Sequence, residues 1–465
     1  MDGTTQSALA AFLHNDQTVG VAVNAAVIHH AQKRKLEQDS ATKVEELEHA
    51  KKLLFTDKRG GSKAGRPKAK ARLPCNWKRQ YLDKDPVYTE KDFRDSFGAP
   101  RGVFEELVAA ISDDLTVASD AAGKSGMTPE IAVLAALRTC RAALAAKQLD
   151  DQVGFSASTI RGKVRRTIES ALEHLAPKYL PDIDSEAELA MSMLETELKY
   201  NAENMFEGCG GKMDCMHLKW RKCPKHLQAG FTSGKDGCPS VVVSAVAHDN
   251  LWCSHVYVGE PGSENDITTL RNDPLFGKVL GGWGRDTFRI GTDDTRPFLQ
   301  AYFLVDGIYP EWAIFAKPGF PTTAAEANYV KAQEARRKAV ERLFGVVQGR
   351  FKIMRKGVGV DIHDIEELKL ITRFCFMVHN MIVAMHEEYG TQFGHGGVAM
   401  AHVDVVQEFV GEVEGGEAGA AVNAGEGADD DAWAAMFRDR MTAMTSRTEY
   451  KRLRSALVGQ DGFKR

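Results

Sequence analysis

Three acidic residues stand in settings where a carboxylate needs a reason. Within Gly211-Lys-Met-Asp-Cys-Met-His-Leu-Lys-Trp220, Asp214 shares an alternating face with Met216, Leu218 and Trp220. An ionised carboxylate on an apolar strand face is costly unless something pairs with it, and for an isolated Asp a salt bridge would suffice. Two further acids change that reading. Asp306 ends the apolar run Ala301-Tyr-Phe-Leu-Val305. Glu341 lies beside the stripe Val340, Leu343, Phe344, Val347 and Phe351 of a long helical pattern. Carboxylates are the ligands that hard Mg²⁺ or Mn²⁺ prefers. Two such ions roughly 3.5–4 Å apart can clamp the attacking and leaving oxygens of an in-line phosphoryl displacement. That chemistry needs no covalent protein nucleophile, and none stands out.

The elements that must hold these acids are legible around them. Gly211–Trp220, Ser240–Ala247 and Leu251–Val258 read as three successive strands, with His248-Asp249-Asn250 as the tight turn of an antiparallel hairpin. Pro261-Gly-Ser-Glu-Asn-Asp266 leads into a short helix capped by Asn265 or Asp266. Ala301–Val305 reads as a strand buried on both faces, and Glu311–Lys317 as another ended by Pro318. Glu326–Arg350 and Leu368–His386 read as long helices. This order predicts an α/β fold: an RNase H-like core, with a mixed five-stranded sheet and flanking helices. Asp214 falls on its first strand, Asp306 at the end of its fourth, and Glu341 on its closing helix.

Upstream, Tyr88–Phe97, Gly102–Ile111 and Pro129–Lys147 carry helical patterns. Leu149–Gly154 then leads into Ser156–Ile168, a helix, glycine turn, serine cap and second helix of helix-turn-helix type. Arg161, Lys163, Arg165 and Arg166 give the second helix a DNA-binding surface; an ordinary packed bundle is the competing reading. Pro177 and Pro181 are expected to close this region. The chain thus divides into a basic, mostly disordered arm (1–75), a helical region (76–200), the acid-bearing domain (201–390), and an acidic Gly/Ala-rich spacer with a basic C-terminal helix (391–465).

Composition bounds the partners. The 465 residues are 43% hydrophobic and 27% charged, with a net charge of −4, as for a globular protein. The charge is segregated: residues 58–74 carry seven Lys/Arg and no acid, whereas Glu412–Asp431 carries seven acids and no base. Local basic segments suit an anionic polymer. In the first of them Gly65-Arg66-Pro67-Lys68 resembles an AT-hook core, which lays Arg66 and Lys68 toward an A·T minor groove. A nuclear-localisation signal explains the same residues. Eight cysteines form no CxxC pair, which fits a reducing compartment. The apolar stretch Thr18–Ile28 is too short to span a bilayer, so no membrane is expected.

Several motifs in order strengthen the reading. Asp214-Cys-Met-His217, Trp220-x-x-Cys-Pro224, Pro261-Gly-Ser-x-Asn-Asp266, Val305-Asp-Gly-Ile-Tyr-Pro-Glu-Trp312, Arg337-x-x-x-Glu-Arg-x-Phe-Gly345, Arg350-Phe351 and His379-Asn380 resemble the PIF/Harbinger transposases. The similarity is to their plant-transposon-protein branch, related to the Harbinger transposase-derived nucleases, and covers roughly residues 80–390. It implies a DDE endonuclease with Asp214, Asp306 and Glu341 as catalytic metal ligands for two Mg²⁺ or Mn²⁺ ions. It further implies a nuclear protein that acts on terminal inverted repeats and inserts into short A/T-rich targets. A Myb-like accessory protein and self-association into a homo-oligomer fit the same picture.

Other residues admit two readings. Asp266 is either a fourth acid of the site or a helix cap, and the cap is routine. Arg337, Lys338 and Arg342 flank Glu341 and either contact phosphates or are simply solvated. Cys215, His217, Cys223 and His226 are zinc-ligand types, but their spacing is not that of a structural zinc site. His379-Asn380 reads as a satisfied core pair. The rival function is a domesticated, non-cutting DNA-binding nuclear protein that keeps the fold.

Overall fold

A computed structural model of the chain describes residues 75–115, 125–185, 188–190, 192–193, 196, 206, 208–234, 237–280, 301–356, 362, 364–388 and 446–459. These residues lie in the compact unit formed by 73–428 with 442–465. The basic arm with Arg66 and Lys68, the acidic spacer and the boundary at 200/201 lie outside the described residues.

The sheet has the predicted architecture. Five strands, β1 (Cys209–Lys219), β2 (Ser240–Ala247), β3 (Cys253–Pro261), β4 (Tyr302–Leu304) and β5 (Phe315–Ala316), stand in the order β3-β2-β1-β4-β5. β1 pairs antiparallel with β2 and β2 with β3, while β4 runs parallel to β1 and β5 parallel to β4. This mixed sheet with helices around it is consistent with an RNase H-like core. Every residue of β2 is buried, as required of a strand covered on both faces. At the start of β1, Gly211 sits at a φ of 134° where β1 shifts register against β4, and a Cβ there would collide with Val246 Cγ1.

Before the sheet come α1 (Glu90–Phe97), α2 (Arg101–Ile111), α3 (Pro129–Ala142), α4 (Ala146–Val153) and α5 (Ala157–Tyr179). Gly154, left-handed at a φ of 76°, makes the turn between α4 and α5, and the Ser156 hydroxyl accepts from the Thr159 amide to cap α5. The expected stop at Pro177 is corrected: α5 runs past it to Tyr179. A proline in the last turn of a helix leaves only one carbonyl without its partner. The run Pro129–Lys147 is also broken, by left-handed Ala143. Helix α5 buries Ile160, Val164, Ile168 and Ala171 at the centre of the bundle.

Between the strands lie α6 (Asp266–Asn272) and α7 (Pro274–Leu280). After them come α8 (Ala324–Arg350), α9 (Lys352–Lys356), α10 (Ile365–Glu388) and α11 (Arg447–Val458). One hydrophobic core joins Phe93, Leu134 and Ile168 of the early helices to Leu218 and Val243 of the sheet and Phe374 of α10. Burying each such side chain fully contributes about 1.5–3 kcal/mol. Helix α10 contains a segment, Ile365–His386, long and apolar enough to cross a membrane, but 72% of its apolar window is buried inside this core. Polar ties reinforce the junction. Asn380 Nδ2 donates to the carbonyls of Tyr179 and Cys253, both at 2.6 Å, and its Oδ1 accepts from the Cys253 amide. His379 Nδ1 accepts from Arg350 and its Nε2 donates to the Leu251 carbonyl at 2.8 Å. Burial and the adjacent guanidinium push its pKa down to about 3, so the ring is neutral. The core-pair reading of His379-Asn380 holds.

Two strand expectations change. β3 begins at Cys253, because Leu251 takes a left-handed φ of 69° within the hairpin turn. The run Glu311–Lys317 shortens to the two residues of β5, since Phe315 N–H bonds back to the Trp312 carbonyl in a turn.

Candidate active site

The parallel register Lys212↔Leu304 sets β1 beside β4, and Asp306 follows Leu304 by two residues as Asp214 follows Lys212. Adjacent strands lie about 4.8 Å apart, and the charge of Asp306 is felt at Asp214. The Asp214 carboxyl is largely buried, with 21% of its side chain exposed. Burial, with the charges of Asp266 and Asp306, outweighs the Cys215 amide and Arg337, so its pKa is pushed up to about 6. The acids therefore repel one another across a partly desolvated site.

Arg337 on α8 spans two of them. Its Nη1 lies 3.4 Å from Asp214 Oδ2, and its Nη2 lies 2.7 Å from Glu341 Oε1, one turn further along the helix. Gln333, one turn earlier, is fully buried and donates from Nε2 to the carbonyls of Val305 and Ala316, both at 2.9 Å. This amide fixes α8 against the ends of β4 and β5, and with them the backbone next to Asp306. A glutamine among charged helix residues reads as solvated surface, and only its position facing two strand ends reveals the role.

The loop after Asp306 is held from below. The Gly307 amide donates to Asp306 Oδ1, and Tyr309 N–H bonds back to the Asp306 carbonyl. Tyr309 is buried, with its hydroxyl 3.8 Å from Cys215 Sγ on the opposite face of β1 from Asp214. Burial drives the Cys215 thiol and the Tyr309 phenol far up, so neither supplies a nucleophile near neutral pH. Lys317 donates to the Tyr309 carbonyl near Asp306, and burial lowers its pKa.

The cap preceding α6 is Asn265, whose side chain accepts from the Thr268 amide. Asp266, in the first turn, adds its charge to Asp214, Cys215 and Tyr309. The cap reading of Asp266 is thereby corrected. Lys338 and Arg342 are exposed on α8. The zinc-ligand types separate: Cys215 faces Tyr309, His217 Nδ1 pairs with Ser240 Oγ at 3.2 Å, and Cys223 turns to the Pro224 carbonyl.

Among the described residues, no three His, Cys, Asp or Glu side chains form a ready-made metal cage, and this holds for Asp214, Asp306 and Glu341 too. In their case a guanidinium stands between the first and third acids. On α5, Arg161, Arg165 and Arg166 are exposed and Lys163 is half-buried. Part of that charge is answered by acids: Arg165 pairs with Glu169 at 2.8 Å, and Arg161 lies 3.9 Å from Glu367.

Residues 187–390 match the family model described as plant transposon protein. Comparison with curated proteins and with solved structures gives no match. The matched stretch carries the whole sheet, Asp214, Asp306, Glu341 and helices α8 to α10. This part of the chain is supported as transposase-related.

Proposed function

We propose that the protein is a metal-dependent DNA endonuclease of DDE type, the transposase of a PIF/Harbinger-like element. The observation that carries this reading is that Arg337 contacts both Asp214 and Glu341, while Asp306 follows β4, the parallel neighbour of β1, and its charge acts on Asp214. The donor set fits Mg²⁺ or Mn²⁺: hard carboxylate oxygens, one with its pKa raised by burial and, to a lesser degree, by the charges of Asp266 and Asp306. Asp214, Asp306 and Glu341 would hold the ions, with Asp266 close by. Two bound divalent ions supply activation of water and neutralisation of charge on the phosphodiester.

The reaction is the one implied by the transposases that the motifs resemble. Water attacks phosphorus at a transposon end, the bond to the 3′ oxygen breaks, and a 3′-hydroxyl and a 5′-phosphate are left. That hydroxyl then attacks a target phosphodiester, joining the end and releasing a target 3′-hydroxyl. Arg161, Lys163, Arg165 and Arg166 on α5 would contact phosphates along the duplex. Terminal inverted repeats, A/T-rich targets, nuclear location, a Myb-like partner and self-association belong to the same proposal. The rival is a non-cutting DNA-binding nuclear protein, favoured by the guanidinium now lying between two of the acids.

Nicking of supercoiled DNA with Mg²⁺ or Mn²⁺ separates the two. Wild type should nick, and Asp306→Asn should lose at least about 100-fold, the scale of removing one group that stabilises transition-state charge. Binding without nicking would favour the rival, and equal nicking by both proteins would place catalysis elsewhere.

A further inference from the structure

We propose that Arg337 is the resident counter-ion of the acidic site, displaced from between Asp214 and Glu341 when a divalent cation binds and then turned to the substrate's phosphate. The inference rests on the metal-dependent reading above and adds a role for a residue that is not itself a ligand. Two contacts define it. Separate guanidinium nitrogens reach separate acids, so the side chain spans the pair instead of capping one of them. The two grips are unequal. The contact to exposed Glu341, at 2.7 Å, has the length of a strong charge-assisted bond, whereas the 3.4 Å contact to buried Asp214 is long for one.

A purely structural salt bridge would satisfy its buried partner first. Here it is the buried partner that the guanidinium holds at the longer distance. A single positive charge spread over a planar fork is a weak match for that site. A divalent ion carries twice the charge and approaches carboxylate oxygens to about 2.0–2.1 Å when it is Mg²⁺. It therefore outcompetes the guanidinium for Asp214, and Glu341, 48% exposed, is able to turn with it. The freed fork keeps its donors in the same cleft, where their geometry suits a phosphate.

The consequence runs against the usual effect of deleting an active-site residue. Removing Arg337 should tighten metal binding while weakening catalysis. The test is calorimetric titration of the full-length chain with MnCl₂ near neutral pH, comparing wild type, Arg337→Met and Arg337→Lys, with circular-dichroism melts alongside. Arg337→Met should bind Mn²⁺ at least about fivefold more tightly, because a competing unit charge a few ångströms away is gone. Its metal-free melting temperature should fall, and Mn²⁺ should restore it. Arg337→Lys, whose point charge cannot span both acids, should tighten binding by a smaller factor and carries the test if the Met variant does not fold. Equal or weaker Mn²⁺ binding by the variants, with wild type binding normally, overturns the exchange alone. No Mn²⁺ uptake by wild type overturns the metal reading and the exchange with it.

Discussion

Arg337 and Glu341 stand one turn apart on α8, and their 2.7 Å contact aims the other end of the guanidinium at Asp214, 3.4 Å away on β1. A helix that closes the fold is thereby tied electrostatically to the central strand. The bond is incomplete, since 3.4 Å is long for a charge-assisted contact.

Asp214→Asn should stabilise the metal-free protein. The pKa of Asp214 is held at about 6 against an ordinary 3.8, a differential of about 3 kcal/mol. The Asn oxygen can still accept from the Cys215 amide, while the contact to Arg337 weakens, so a net gain of about 1 kcal/mol is expected. Urea unfolding in EDTA measures it. The same variant should lose the stabilisation that Mn²⁺ gives the wild type. A loss of stability in EDTA would show that Asp214 is a structural salt-bridge residue.

The pH dependence follows from the same shift. Between about pH 4 and 6 the folded protein holds a proton on Asp214 that the unfolded chain has released. This group's contribution therefore makes the metal-free protein more stable as pH falls from 6 toward 4. The stability advantage of Asp214→Asn over wild type isolates it and should fall by about 2 kcal/mol over that window, reversing sign within it. Protons also compete with metal at this carboxylate, so Mn²⁺ affinity should fall progressively below about pH 6. A difference that stays flat from pH 7 to 4 would mean the carboxyl is not perturbed.

Asn380→Asp should be strongly destabilising. The buried amide nitrogen donates to two carbonyls, and an aspartate oxygen in its place would face both without a proton to share. A cost of about 3 kcal/mol or more is expected, from an unpaired charge and two lost bonds. Denaturant midpoints measure it, and a change below about 1 kcal/mol would show that α5 and β3 are not joined through this side chain.

Helix α11 should contribute to the stability of the acid-bearing fold. Tyr450, Leu453 and Leu457 are buried, and the two leucines cluster with Phe206, Tyr302, Leu304 and Tyr329. Leu453→Ala or Leu457→Ala should each cost about 2–4 kcal/mol and raise amide exchange in β4 and β5. Unchanged exchange there would detach α11 from the fold.

β2 was legible to the residue because it is a dense Val/Ala run bounded by clear turns. Asp214 betrayed itself by its apolar neighbours, and Asp306 by ending such a run. The contributions of Gln333, Arg337 and α11 were harder to read. Gln333 and Arg337 look like one solvated helix face until the strand ends opposite them are known. The apolar stripe of α11 is only three residues long, and its partners lie more than a hundred residues away. Periodicity reports which face is buried, not what lies against it.

The central claim is that Asp214, Asp306 and Glu341 form one divalent-metal site, and anomalous diffraction from crystals soaked in MnCl₂ addresses it directly. The account predicts Mn²⁺ density between Asp214 and Asp306, with Glu341 drawn toward it and the Arg337 guanidinium moved off Asp214. Crystals saturated with Mn²⁺ that show no density at these carboxylates, with Arg337 still lying between Asp214 and Glu341, would contradict it.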